Sequence, residues 1–156
     1  MFTLALVTAL GCALLAGTFF VFSAMVMPAL GRLPAPQAIA AMQAINAAAT
    51  RPRFLLAFLG TAGLCVALGI AALLQLGQPS SVYYLAGAAA YLAGALLLTM
   101  GYHVPRNNAL DRLEPAAADA DGRWARYRRG WTAWNHVRAA ASLAATAALI
   151  GGVSAG

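Results

Sequence analysis

An all-α, membrane-embedded four-helix bundle is the fold class this sequence predicts, and three observations carry that reading. Hydrophobic residues make up 62% of the 156 residues and charged residues only 9%, with a mean hydropathy of +0.75, a balance far too apolar for a soluble domain of this size. Four apolar stretches, at about 2–30, 53–76, 82–102 and 130–152, each reach the roughly 20 residues a helix needs to cross a bilayer. The net charge of +6 comes from arginine alone, and nine arginines fall in or beside two connections: Arg32, Arg51 and Arg53, then Arg106, Arg112, Arg123, Arg126, Arg128 and Arg129. In a soluble chain that excess would suggest nucleic acid; here it is topological, and no nucleic-acid partner is expected. Positive connections stay inside, so both should be cytoplasmic in the cell (inner) membrane, with the termini and the short middle turn outside. Residues 1–156 then form a single transmembrane domain whose first partner is the lipid bilayer.

The first apolar run has no basic residue before it and exceeds the ~7–15 residue core of a signal peptide, so it reads as a retained span. Gly11, Leu14, Thr18, Phe22 and Met25 share a face expected to receive another helix, and Pro28 should disrupt the last turn. Between the first two spans, PQAIAAMQAINAAAT should form a short amphipathic helix at the interface or beneath the bundle. It carries Ile39, Met42 and Ile45 on one side and Gln43, Asn46 and Thr50 on the other, with Asn46 able to contribute an amide to a site. Pro52 opens the second span, and GQPSS is too short for anything except an antiparallel hairpin into the third. There Tyr84, Gly87, Tyr91, Gly94 and Tyr102 line one face; Tyr83 and Tyr84 suit the interface, while Tyr91 lies deep enough to seek a partner across the bundle. Pro105 should break this helix and leave Asn107 and Asn108 at the membrane surface. Asp111, Glu114, Asp119 and Asp121 are scattered through a solvated loop without a His or Cys at ligand spacing, which makes neither a metal site nor an acid/base pair. Cys12 and Cys65 lack C-x-x-C spacing and read as small buried hydrophobes.

Chemistry concentrates in WARYRRGWTAWNHVR, residues 124–138, at the start of the last span. At about 100° per residue, Trp124, Tyr127, Trp131, Trp134, Asn135, Arg138 and Ser142 fall on one arc, so a cation, an amide and indoles share an inward face suited to a planar, oxygen-bearing aromatic ligand. An arginine near the end of a span can also snorkel to water, which is the competing explanation of Arg138. His136 projects about 160° from Arg138 and should meet a different neighbour. His103 is expected at a similar depth on the preceding span, where an antiparallel pair would allow the two imidazoles to meet. Two histidines without supporting ligands make a poor metal or bis-histidine haem site, so no metal or haem is assigned to His103 and His136.

Together, GTFFVFSAMVMPAL, AMQAIN followed by RPRFLLAFLG, VPRNNALD, and the W(x6)W(x2)WNHVR pattern are similar to the anthrone oxygenase-like family, also called the DUF1772 family. The resemblance implies a membrane bundle and an oxidoreductase that converts anthrone-like polycyclic aromatics to quinones, with molecular oxygen as co-substrate and no added cofactor. Carried onto this chain, it implies His136 as general base, Arg138 with Asn107 as anion stabilisers, and Asn135, Trp131, Trp134 and Asn108 around the substrate. His103, beside the VPxN segment, is a second candidate base. The alternative is a non-enzymatic membrane protein, a small-molecule binder or complex subunit, in which the WNHVR and VPRNN segments lock the bundle. A hydrophobic small molecule is the expected partner, and a homo-oligomer is left open.

Overall fold

The computed structural model describes all residues from Met1 to Gly156 and is helical throughout, without strands. Four long helices are apolar enough to cross a membrane: α1 (Phe2–Leu30), α3 (Pro52–Leu73), α4 (Pro79–Asp111) and α5 (Ala120–Ser154). A shorter helix, α2 (Ala35–Ala49), joins α1 to α3. The protein is a multi-pass membrane bundle. α5 packs chiefly against α1 and α4, while α3 closes the bundle against α4 and α1.

Apolar residues form two buried groups. The larger runs through the half nearer the termini and includes Cys12, Leu15, Phe58, Leu68, Tyr91, Ala145 and Leu149. Small residues allow close helix approach there: a Cβ on Gly87 of α4 would lie 2.8 Å from the Leu149 side chain and 3.1 Å from the Ala145 carbonyl oxygen of α5. Cys12 and Cys65 meet across α1 and α3 with their sulfurs 4.0 Å apart, a pairing that their separation in sequence concealed. Tyr91, fully buried, donates to the Phe58 carbonyl at 3.0 Å, the cross-bundle partner its depth requires. Tyr84 is also buried rather than interfacial, because Gly152 on α5 leaves room for its ring.

The second group lies at the arginine-rich end, where Met27, Ile39, Met42, Leu110, Trp124, Tyr127 and Trp131 pack α2 beneath the bundle. α2 uses both faces. Gln43 donates to the carbonyls of Leu110 and Leu113, each at 3.0 Å, and Asn46 is buried and donates to Asp111 at 3.0 Å, so of its polar side only Thr50 is exposed.

One expectation about prolines is corrected. Pro28 lies in the last turn of α1, which ends at Leu30 as expected, but Pro105 does not break α4, which continues to Asp111. Each proline follows a π-helical segment, Phe22–Val26 in α1 and Thr99–His103 in α4, and a further such segment, Leu92–Leu97, lies in the middle of α4. A proline lacks an N–H and crowds the carbonyl four residues back, and the wider turn relieves that clash. The expected packing face of α1 also shifts. Leu14 and Met25 are exposed, whereas Ala5, Cys12, Leu15, Phe19 and Ser23 point inward. Of that set, Gly11 meets Thr61 of α3 closely, the approach expected at the glycine, and Phe22 packs against Trp131 of α5.

Candidate functional site

The inward stripe of α5 crosses the π-helical segments Phe22–Val26 and Thr99–His103. Asn135, completely buried, donates through Nδ2 to the Phe19 carbonyl at 2.7 Å and to the Ser23 hydroxyl at 2.6 Å, both on α1. Its Oδ1 accepts from Arg138 Nη2 at 2.6 Å, one helical turn later. Arg138 Nη1 donates to the Thr99 hydroxyl at 3.1 Å on α4, and Thr99 donates in turn to the Ala95 carbonyl at 2.6 Å. One amide and one guanidinium thus tie α5 to both distorted helices.

Arg138 does not snorkel: it is 6% exposed. Its guanidinium carbon lies 4.4 Å from the centroid of Phe19 and 5.2 Å from that of Trp131, a favourable stacking geometry for a desolvated cation. No carboxylate balances it. The chain's one ion pair joins Arg123 to Asp119 at the surface, where the guanidinium hydrogen bond holds the Asp119 carboxyl below its usual range. The Nε of Arg138 is buried without a partner. A charge in the interior of a membrane bundle costs about 2.5–3.5 kcal/mol on insertion scales, and neutral hydrogen-bond partners offset only part of it.

This unbalanced cation forms part of the wall of a cavity of about 290 Å³ at the arginine-rich end. The volume lies near the lower limit of the roughly 300–1,000 Å³ typical of small-molecule sites. Phe19 and Phe22 of α1, Met42 and Ile45 of α2, Phe54 of α3 and Trp131 of α5 give it an apolar lining. Polar groups enter at few points: Thr18, Asn46, Asn107 and Arg138. Asn107 Oδ1 accepts from Tyr127 Oη at 2.9 Å and from Trp131 Nε1 at 3.0 Å. Those two bonds fix the amide, leaving its Nδ2 as the donor group, and fix the indole whose ring stands 5.8 Å from that of Phe22.

Of the residues expected at the site, Asn107, Trp131 and Arg138 meet at this wall. Asn135 does not: its amide is committed to Phe19, Ser23 and Arg138, so it positions the guanidinium rather than touching a ligand. His103 is buried behind the wall, edge-on to Trp131 at 5.2 Å, with Nε2 3.4 Å from the Trp131 carbonyl and Nδ1 unpartnered. Three expectations are corrected. Trp134 is 43% exposed and packs on Tyr102 at 5.2 Å, since it sits at the edge of the arc rather than its centre. Asn108 is exposed, because the unbroken α4 turns it away from Asn107's side. His136 is exposed beside Arg128, Arg129 and Thr132 in a surface groove, outside the cavity and apart from the buried His103. No three His, Cys, Asp or Glu side chains converge anywhere in the chain.

Sequence reasoning missed the contribution of α1 to the polar network. Ser23 and Thr99 look like ordinary span residues, although each stands four residues after a buried one, Phe19 and Ala95, a spacing that could have placed them on the inward face. Phe54 and Asn46 were legible as an aromatic at the start of a span and an amide on an amphipathic helix.

The family profile described as anthrone oxygenase matches residues 54–148, which contain α4 and the Asn107, Trp131, Asn135 and Arg138 cluster. α1 and α2, which complete the cavity, lie outside the matched residues. Curated proteins and solved structures give no match. With more than half of its length matched, and with the helical bundle and cluster in place, the chain belongs to the anthrone oxygenase family.

Proposed function

We propose that the cavity is the substrate site of a cofactor-independent oxygenase acting on anthrone-like aromatics, with the arginine-rich end on the cytoplasmic side of the cell membrane. The observation that carries the reading is Arg138, a cation without a counterion in the wall of an otherwise apolar cavity. Such a site favours a flat, apolar molecule that becomes anionic.

An anthrone has a CH₂ group between two aromatic rings, and losing a proton there places negative charge on its oxygen. Arg138, with the Asn107 amide as a second donor, stabilises that oxyanion and so lowers the pKa of the substrate. The cavity wall holds no imidazole or carboxylate, so the proton leaves to water at the mouth and His136 is not the base in this reading. The anion passes one electron to O₂, and the resulting radical and superoxide combine at carbon to give a peroxide anion. Protonation gives the hydroperoxide, and loss of water leaves a carbonyl where the CH₂ stood: one O₂ is consumed and one water formed.

The bonds of Asn135 and Asn107 equally suit the alternative in which these segments lock a non-enzymatic bundle. Oxygen uptake by the purified protein with 1,8-dihydroxyanthrone separates the two. Turnover above the spontaneous rate that Arg138→Ala removes is the expected result; uptake equal to buffer for both proteins overturns the oxygenase reading.

A further inference from the structure

A second recess runs along the seam between α1 and α3, toward the termini from the cavity. It has a volume of about 540 Å³ and is bordered by Leu10, Gly11 and Leu14 on one side and Ala57, Gly60 and Leu64 on the other. Leu14 stands one turn from Thr18, and Ala57 three residues from Phe54, and both of those residues line the cavity. Groove and cavity therefore succeed one another along a single helix seam. Within the groove, Gly60 is not a packing glycine: a Cβ added there would meet nothing within 4 Å. Gly11, facing Thr61 across the seam, sets the close approach that forms the floor.

The two spaces differ in chemistry. The cavity wall includes the buried Arg138, whereas the groove is lined by aliphatic and small side chains except for Thr61, whose hydroxyl already donates to the Ala57 carbonyl at 2.7 Å. Leu10 and Leu14 are more than half exposed at its rim, on a surface that the membrane assignment places in lipid. From Thr18 to Val7, the other end of the groove, is roughly 17 Å of helix axis at about 1.5 Å per residue.

We propose that the ligand is an amphiphile: a hydroxyaromatic head that becomes anionic against Arg138, carrying one aliphatic tail that lies in the α1–α3 groove. This rests on the substrate reading of the cavity and adds to it the class of molecule and its route, since a tailed head reaches the cavity sideways from the lipid along the seam. Charge complementarity fixes the head at the Arg138 end, and continuity of groove with cavity fixes the tail.

The test compares 1,8-dihydroxyanthrone with the same anthrone bearing an n-dodecyl chain on a ring carbon, both titrated into the detergent-solubilised full chain under argon and followed by quenching of tryptophan fluorescence. The wild type should bind the tailed probe at least ten-fold tighter than the tailless one. Gly60→Leu fills the groove and should bring that ratio close to one, and Leu14→Trp, altered at the exposed rim, should lower it in the same way. A ratio that both variants leave unchanged reports partition into detergent and overturns the tail assignment. A wild-type ratio near one does the same while Arg138-dependent binding of the tailless probe leaves the cavity reading standing. Absence of Arg138-dependent binding by either probe overturns both.

Discussion

Toward the termini, α1, α3, α4 and α5 meet largely through small side chains, with Gly87 against Leu149 and Cys12 against Cys65; α1 and α3 run there in regular α geometry, and α4 does so up to Tyr91, before the π-helical segment Leu92–Leu97. At the arginine-rich end the same helices carry the π-helical segments Phe22–Val26 and Thr99–His103, the prolines Pro28, Pro52 and Pro105, a buried arginine and a cavity. The first half solves the problem of packing without a hydrophobic drive between helices, by close approach and dispersion. The other end gives up that density to hold polar groups and empty space. Distortion and hollowness coincide there, as expected of a bundle whose scaffold and site are divided along its axis.

That division predicts opposite responses to substitution. The largest effect is expected at Arg138: replacement by alanine should lower kcat/KM for an anthrone by roughly 10²–10³-fold, the scale of losing an oxyanion donor, with the bundle still folded by circular dichroism. An unaltered rate would place the chemistry elsewhere. Next, Gly87→Leu in the dense half should destabilise by about 1–3 kcal/mol or prevent folding, measured as a fall in the thermal unfolding midpoint in detergent. Full stability would show that α4 and α5 can separate there without penalty. Asn135→Ala should straddle the two regimes. It strips partners from Arg138 and from the Phe19 carbonyl, so stability should drop by about 1–3 kcal/mol and kcat should fall more than KM rises, while Asn135→Asp restores neither. The smallest effect is expected at His136, exposed outside the cavity, where alanine should change the rate less than two-fold; a larger loss would return it to the mechanism.

Most of the fold was legible because hydropathy and arginine placement are direct consequences of the bilayer. The inward phase of Trp131, Asn135 and Arg138 was legible for the same reason: a polar stripe in an apolar helix must face protein. Illegible were the features set by departures from 3.6-residue periodicity. Pro105 read as a helix break, since a one-dimensional pattern does not show that π-helical geometry upstream absorbs it. Trp134 was placed inside by an arc that it only borders, and His136 gained importance from its neighbours in sequence rather than in space. The cavity draws on every helix of the chain, so no single segment could reveal it.

The network around Asn135 and Arg138 also bears on how the protein is made. Synthesis runs from α1 to α5, and the last helix carries an arginine that no carboxylate accompanies into the bilayer. Its partners Phe19, Ser23 and Thr99 are already in the membrane on α1 and α4 when it arrives. The polar stripe therefore couples burial of the arginine to assembly: its hydrogen bonds to Asn135 and Thr99, and those of Asn135 to Phe19 and Ser23, are complete only when α5 is docked between α1 and α4.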